Sequence, residues 1–370
     1  VKNNKLHILF LPSWYPSREH TTLGNFVQRH AFAVSELHQV VVVSAHESPK
    51  PEVIVDELGS LIEIRVYFKK KLPLFSYQKA MNKGIAYARH NYGDFDLAHV
   101  HVAYPAGVLA ISSGLPYVVT EHFSGYHPQS SFKWNYGRKR LTTRILNRAY
   151  KVLPVSIHLA KAITTFGSEA NMEQVSNVVD TSIFYPANKK PERFTYLHIS
   201  TLEERSKNIT GILRGFRVLE ESGADFVLKI GGDGDLNELK AKIIQHGPSP
   251  EKVEIIPKQS IEGIAETMRS AHALVMFSHF ENQPCTILEA LCSGLPVISS
   301  DVGGIPEVID ESNGLLIPAG SDHQFAEGLQ YMITLYDRFN AEVISKKAST
   351  RYSYQAVTQK LNSIYLSAPK

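Results

Sequence analysis

Short apolar runs recur along the chain, each followed by apolar residues at helical spacing, and this alternation predicts an α/β protein. Leu6 to Leu11 reads as a buried strand, feeding a long loop from Pro12 to Leu23. Gly24-Asn25 then opens a helix to about Leu37, with Phe26, His30, Phe32, Ala33 and Leu37 on one face. Val40 to Ser44, Ile62 to Phe68, Asp96 to Val102, Pro116 to Thr120 and Lys151 to Ser156 predict further strands, and an amphipathic helix runs to about Asn91. The polar, proline-flanked stretch Ala187 to Arg193 is the best linker. Beyond it, strands are expected at Phe194 to Ser200, Phe226 to Ile230 and Val253 to Ile256, with helices at Asn208 to Glu221 and Ile261 to Ser270. The chain closes on Tyr352 to Tyr365, aromatic at helical spacing, and shows no internal repeat.

The densest pattern lies in residues 273–309, which read strand, loop, helix, strand, loop, helix. Pro284 is expected at the first helical position, where its missing N–H costs nothing, and Gly294 stops that helix. A helix N-terminus is thereby set at the carboxyl end of a parallel strand, where unpaired N–H groups suit a phosphate. Two carboxylates, Glu281 and Glu289, frame it. Beside a phosphate they make sense as acceptors for the hydroxyls of a ribose and a sugar.

A chain of 370 residues is long for one core and natural for two domains. Its 43% hydrophobic and 20% charged content describes a soluble globular protein. No run of 18 apolar residues occurs, and the first residues lack a signal-peptide pattern, so a cytoplasmic protein is expected. Cys285 and Cys292 sit two helical turns apart, about 10 Å, too far for a disulfide. The net charge of +3 is uneven: residues 1–185 carry 20 Lys/Arg against 13 Asp/Glu, and residues 186–370 carry 19 against 23. Basic residues mix with aromatics in 69–79 and 132–140, which predicts attraction to an anionic membrane surface. Neither patch sits in a nucleic-acid-binding motif, so no nucleic-acid partner is expected. His99 and His101 alternate onto one face of a strand without the further ligands a metal site needs.

Glu281, seven residues, Glu289, then Ala-Leu-Cys-Ser-Gly-Leu-Pro-Val-Ile and Asp301-Val-Gly-Gly-Ile-Pro-Glu307 resembles the nucleotide-sugar site of family 4 (group 1) glycosyltransferases. The resemblance implies a GT-B fold: two Rossmann-like domains facing across a deep cleft, residues 1–187 binding the acceptor, residues 188–350 binding the donor, and a terminal helix, 351–370, crossing back onto the first. It implies a retaining transferase that moves a sugar from a nucleoside-diphosphate sugar to a hydroxyl of a glycan or lipid-linked acceptor, as in bacterial surface polysaccharide or glycolipid assembly. No cofactor is expected beyond that co-substrate, and turnover is expected to be metal-independent. His122 matches the family histidine beside the reacting sugar. Lys207 matches the lysine on the pyrophosphate, Thr201 stands where an arginine is expected, and either Arg205 or the hydroxyl and backbone supply that contact. Gly24 matches the loop after the first strand, Gly232 the loop after the second strand of the donor domain, and Pro257-Lys258 the base-packing backbone. Glu281 would hold the sugar, with Asn282, Gln283, Cys285 and Thr286 nearby, and Glu289 the ribose. The resemblance leaves open a non-catalytic nucleotide-sugar-binding scaffold and a GT-B epimerase.

Overall fold

The computed structural model describes residues 5–69, 71, 73–128, 130–187 and 190–369; Lys70 and Leu72 of the first basic stretch, and Asn188 and Lys189 of the expected linker, lie outside them. The chain divides into two compact units, residues 1–178 with 354–370, and residues 179–353. The division falls upstream of the expected 187/188 boundary because Val179 already pairs with Ser353 as a parallel bridge and Phe184 is buried in the second unit's core. The terminal segment likewise starts at Tyr354 rather than at 351, since Tyr352 belongs to that same core.

The first unit holds a seven-stranded sheet of β1 (His7–Pro12), β2 (Gln39–Glu47), β3 (Glu52–Leu58), β4 (Leu61–Phe68), β5 (Leu97–His101), β6 (Tyr117–Glu121) and β7 (Lys151–Pro154), in the order β3-β4-β2-β1-β5-β6-β7. All pairs are parallel except β3 with β4. The central strands are apolar throughout because both faces are covered. Leu9, Leu11, Val41 and Val43 pack in one layer, and Ile8, Phe10, Val40 and Val42 in the other. The second layer takes Val357, Leu361, Ile364 and Tyr365 of the terminal helix Tyr354–Leu366, and Tyr365 Oη lies 2.7 Å from His99 Nδ1. The apolar pattern missed β3, an edge strand whose charged Glu52, Asp56 and Glu57 suit a solvated rim. The helix Pro73–Tyr92 begins inside the first basic stretch, so residues 73–79 are helical, with Phe75 65% exposed.

The second unit holds six parallel strands, β8 (Thr195–Ser200), β9 (Val227–Gly232), β10 (Val253–Ile256), β11 (Ala273–Met276), β12 (Val297–Ser300) and β13 (Gly314–Ile317), in the order β10-β9-β8-β11-β12-β13. The order reverses between β8 and β11, and in the first unit between β1 and β5. The two loops leaving such a reversal diverge and open a crevice at the carboxyl ends of the strands, where doubly wound sheets bind ligands. No helix among the described residues is long and apolar enough to cross a membrane.

Candidate functional site

In the second unit, the loops that leave β8, β11 and β12 are tied together at the reversal point. The backbone N–H of His279 donates to Ser206 O at 2.9 Å, Asn208 Nδ2 donates to Phe277 O at 3.2 Å, and Ser300 Oγ donates to Ser278 O at 2.6 Å. Gly303, at φ +59, lies against the Glu281 carbonyl so closely that a Cβ there would sit 1.7 Å from its oxygen. These ties aim two side chains at each other. Lys207 Nζ lies 2.5 Å from Glu281 Oε1, and Ser278 Oγ donates to the same oxygen at 2.9 Å. Both partners are mostly buried, with side-chain exposures of 17% and 9%. The ammonium has three donors and spends one on Glu281. Among the described residues both bonds to the carboxylate fall on Oε1, which leaves Oε2 as an acceptor.

The helix Cys285–Cys292 starts beside this pair, with Pro284 as its N-cap rather than its first helical residue; Pro284 has the extended backbone of a cap, and its carbonyl accepts from Ile287 N–H. Gln283 and Glu289 are buried, Asn282, Cys285 and Thr286 half-buried. The turn after β9 hugs the loop after β8: a Cβ on Gly232 would lie 1.9 Å from Ser200 O, and one on Gly234 2.7 Å from Thr201 O. Thr201 and Arg205 are exposed, and among the described residues no carboxylate pairs with Arg205. Pro257 and Lys258 are exposed, Lys258 lying 3.1 Å from Asp233. Two Asp-x-Asp spacings occur, and both have structural work. Asp235 caps the helix Leu236–His246, Asp233 meets Lys258, and Asp96 accepts from His7 N–H at 2.8 Å. Among the described residues no group of three His, Cys, Asp or Glu is arranged to hold a metal.

In the first unit, His122 follows β6 at that sheet's reversal side, with Phe26 at 4.5 Å and His101 stacked at 5.7 Å. His30, His99 and His101 are fully buried beside it. Desolvation, reinforced by neighbouring imidazoles, holds His122 and His101 well below the usual histidine range, so the rings are neutral. Glu121, the last residue of β6, organises this corner. Its buried carboxylate accepts from the backbone N–H of Ala103, His122 and Phe123 and from Tyr126 Oη, each at 2.9 Å. A Glu just after an apolar strand was the available signal. Gly24 caps the helix Asn25–Ser35 at φ +76, where a Cβ would lie 2.4 Å from Trp14 O, so it fixes the loop after β1.

Burial also depresses His30 and His198 to about 4. In the unfolded chain both titrate near 6.5. Stability is therefore complete above pH ~6.5 and is lost as pH falls toward 4, because the unfolded chain takes up protons the folded chain refuses. Each histidine is expected to contribute a slope of about 1.4 kcal/mol per pH unit in that window. Urea midpoints from pH 7.5 to 4.5 read it directly, and a flat profile would contradict neutral burial.

Two family descriptions match the chain: "Glycosyltransferase Family 4" over residues 23–183 and "Glycosyl transferases group 1" over residues 180–350. The sulfoquinovosyl transferase SQD2 of Arabidopsis thaliana is 26% identical over 366 residues, which cover 89% of this chain and 67% of that protein. Sucrose-phosphate synthase from Thermosynechococcus elongatus shares the fold at a TM-score of 0.81 and 17% identity, over 98% of both chains. Anabaena HepE, solved in complex with UDP-glucose, shares it at a TM-score of 0.72 and 18% identity, over 98% of this chain and 100% of that one.

Proposed function

The chain belongs to the group 1, family 4 glycosyltransferases, with the GT-B fold, and from that premise we propose that it moves a sugar from a nucleoside-diphosphate sugar to a hydroxyl of a glycan or lipid-linked acceptor, with retention. The observation that carries this reading is the Lys207–Glu281 pair, held at the reversal point of the second unit's sheet beside a helix N-terminus. An ammonium with two spare donors and the N–H groups of that helix meet a diphosphate, while the open oxygen of Glu281 accepts from a sugar hydroxyl. Glu289, buried one helical turn further on, takes the ribose hydroxyls. Support from relatives is of the same kind: one carries a sulfoquinovosyl transferase name, and another was solved with UDP-glucose.

In the proposed reaction the anomeric C–O bond to the diphosphate breaks, and its electrons leave on the phosphate oxygen. The acceptor oxygen forms the new bond on the same face, and its proton passes to the departing diphosphate. Lys207 and the helix N-terminus stabilise charge as it develops, which is the largest effect available without a covalent nucleophile. Neutral His122 positions a sugar hydroxyl. Turnover is metal-independent, and the transfer assay repeated in excess EDTA tests that part. The basic stretches 69–79 and 132–140 bring the enzyme to an anionic membrane surface on its cytoplasmic face; equal flotation with neutral and anionic vesicles would remove the membrane part.

Thermal unfolding against a panel of nucleoside diphosphates tests the donor site. A ligand at 100 times its Kd stabilises the folded state by about 2.7 kcal/mol. One nucleoside family is expected to raise the melting temperature of the wild type and to lose most of that effect in Glu289→Ala. No shift with any nucleotide would move the reading to a protein that does not handle activated sugars.

A further inference from the structure

Residues 122–168 contain eight Lys/Arg and no Asp or Glu. Within this acid-free run the helix Tyr136–Arg148 opens with Arg138, Lys139 and Arg140 and has no acidic residue in its first turn. Cations there oppose the helix dipole, so local helix stability does not account for them. Lys139 and Arg140 are exposed, whereas Arg138 is half-buried. Its guanidinium lies 5.1 Å from the Tyr104 ring centroid and 5.5 Å from that of Phe132. Phe132 packs edge-on against Phe123 at 5.0 Å, the residue after His122. Tyr104 follows the carboxyl end of β5. The rings orient the guanidinium, yet among the described residues no carboxylate pairs with it, and its side-chain N–H groups have no acceptor there. The helix N-terminus itself is already capped, Asn135 Oδ1 accepting from Arg138 N–H at 2.8 Å, and Lys139 turns its ammonium over the Phe166 ring at 5.0 Å. It is the planar guanidinium, oriented by two rings and without a counter-ion among the described residues, that matches a dianionic phosphate better than a neutral hydroxyl.

We propose that Arg138 is the recognition residue for a phosphate group carried by the acceptor. This rests on the glycosyltransferase reading for the word acceptor, but the phosphate subsite stands on the first unit's own geometry. The phosphate accepts a bidentate pair from Arg138, with Lys139 and Arg140 supplying unspecific attraction. The outer residues of the stretch, with Tyr136 79% exposed, remain the ones turned to bulk solvent. The phosphate belongs either to a soluble phosphate ester or to a lipid phosphate, and the probes separate the two.

The full chain is titrated calorimetrically with sn-glycerol 3-phosphate, with glycerol, and with dodecyl phosphate below its micelle concentration, as wild type, Arg138→Gln, Arg138→Lys and Lys207→Ala. Both phosphates are expected to bind the wild type and glycerol not to. Tighter binding of dodecyl phosphate would assign a lipid source, and equal binding a soluble one. Arg138→Gln is expected to weaken phosphate binding at least about tenfold, Arg138→Lys to fall between, and Lys207→Ala to bind as wild type. Unchanged binding in Arg138→Gln overturns the proposal, as does binding lost in Lys207→Ala, which would put the phosphate in the donor site. Binding to dodecyl phosphate and anionic vesicles but not to glycerol phosphate also overturns it, in favour of a membrane surface. If Arg138→Gln does not fold, Arg138→Lys decides alone, since it keeps the charge and loses the fork. Failure of the wild type to transfer sugar from any donor would count against the enzyme reading and leave the titration result standing.

Discussion

Lys207→Ala is expected to lower kcat for sugar transfer by about 10²–10³-fold, the loss typical of deleting one preorganised donor to a developing oxyanion. Its ammonium is the cation held at the reversal point of the second unit, 2.5 Å from Glu281 Oε1. Part of the damage will be structural, because the substitution strands a carboxylate that is only 9% exposed and keeps only the Ser278 hydroxyl as donor. The double variant Lys207→Ala/Glu281→Gln separates the two effects. A neutral amide no longer needs the counter-charge, so the double variant is expected to regain stability relative to Lys207→Ala while transfer stays low. Denaturant unfolding and initial rates on the same preparations give both numbers. Recovery of transfer along with stability would show that Lys207 acts only through folding.

Gly303→Ala is the second large effect. The added Cβ meets the Glu281 carbonyl oxygen at 1.7 Å in a backbone conformation, φ +59, that L residues avoid. Backbone must move, at a cost on the order of 3 kcal/mol. For a unit of this size that lowers the melting temperature by about 6–12 °C. Glu281 moves with its carbonyl, so donor binding should be lost as well. Gly320 supplies the control: its φ is +83, but nothing lies within 4 Å of an added Cβ, so Gly320→Ala should show the conformational strain alone, about 1 kcal/mol. Equal effects at both positions would mean that the loop after β12 does not hold Glu281.

The site residues differ in how far the sequence exposed them. Glu281, Glu289 and the helix between β11 and β12 were legible because proline, glycine and an apolar strand punctuate them locally, and because their spacing resembles a known family. Pro284 was misplaced by one position, since a proline suits the cap and the first turn about equally well in sequence. Strand β3 was missed because an edge strand shows polar residues on both sides and owes its place to pairing with β4. Glu121 gave only the hint of a carboxylate after an apolar strand; its role needs four donors from the loops after β5 and β6 to converge on it.

The sequence by itself determined the class of fold, two α/β units of parallel strands, the helix starts beside Gly24, Asn208 and Pro284, and the uneven charge between the halves. Each is a property of residues within a few positions of one another, where backbone geometry and periodicity act directly. Only the tertiary structure decided that Lys207 and Glu281, 74 residues apart, share a bond, that Gly303 presses on the carbonyl of Glu281, and that Arg138 rests between Tyr104 and Phe132 with no counter-ion among the described residues. The physical reason is that strand order sets which loop ends meet. That order is selected by the burial of whole apolar faces across the sheet, a quantity no local window contains.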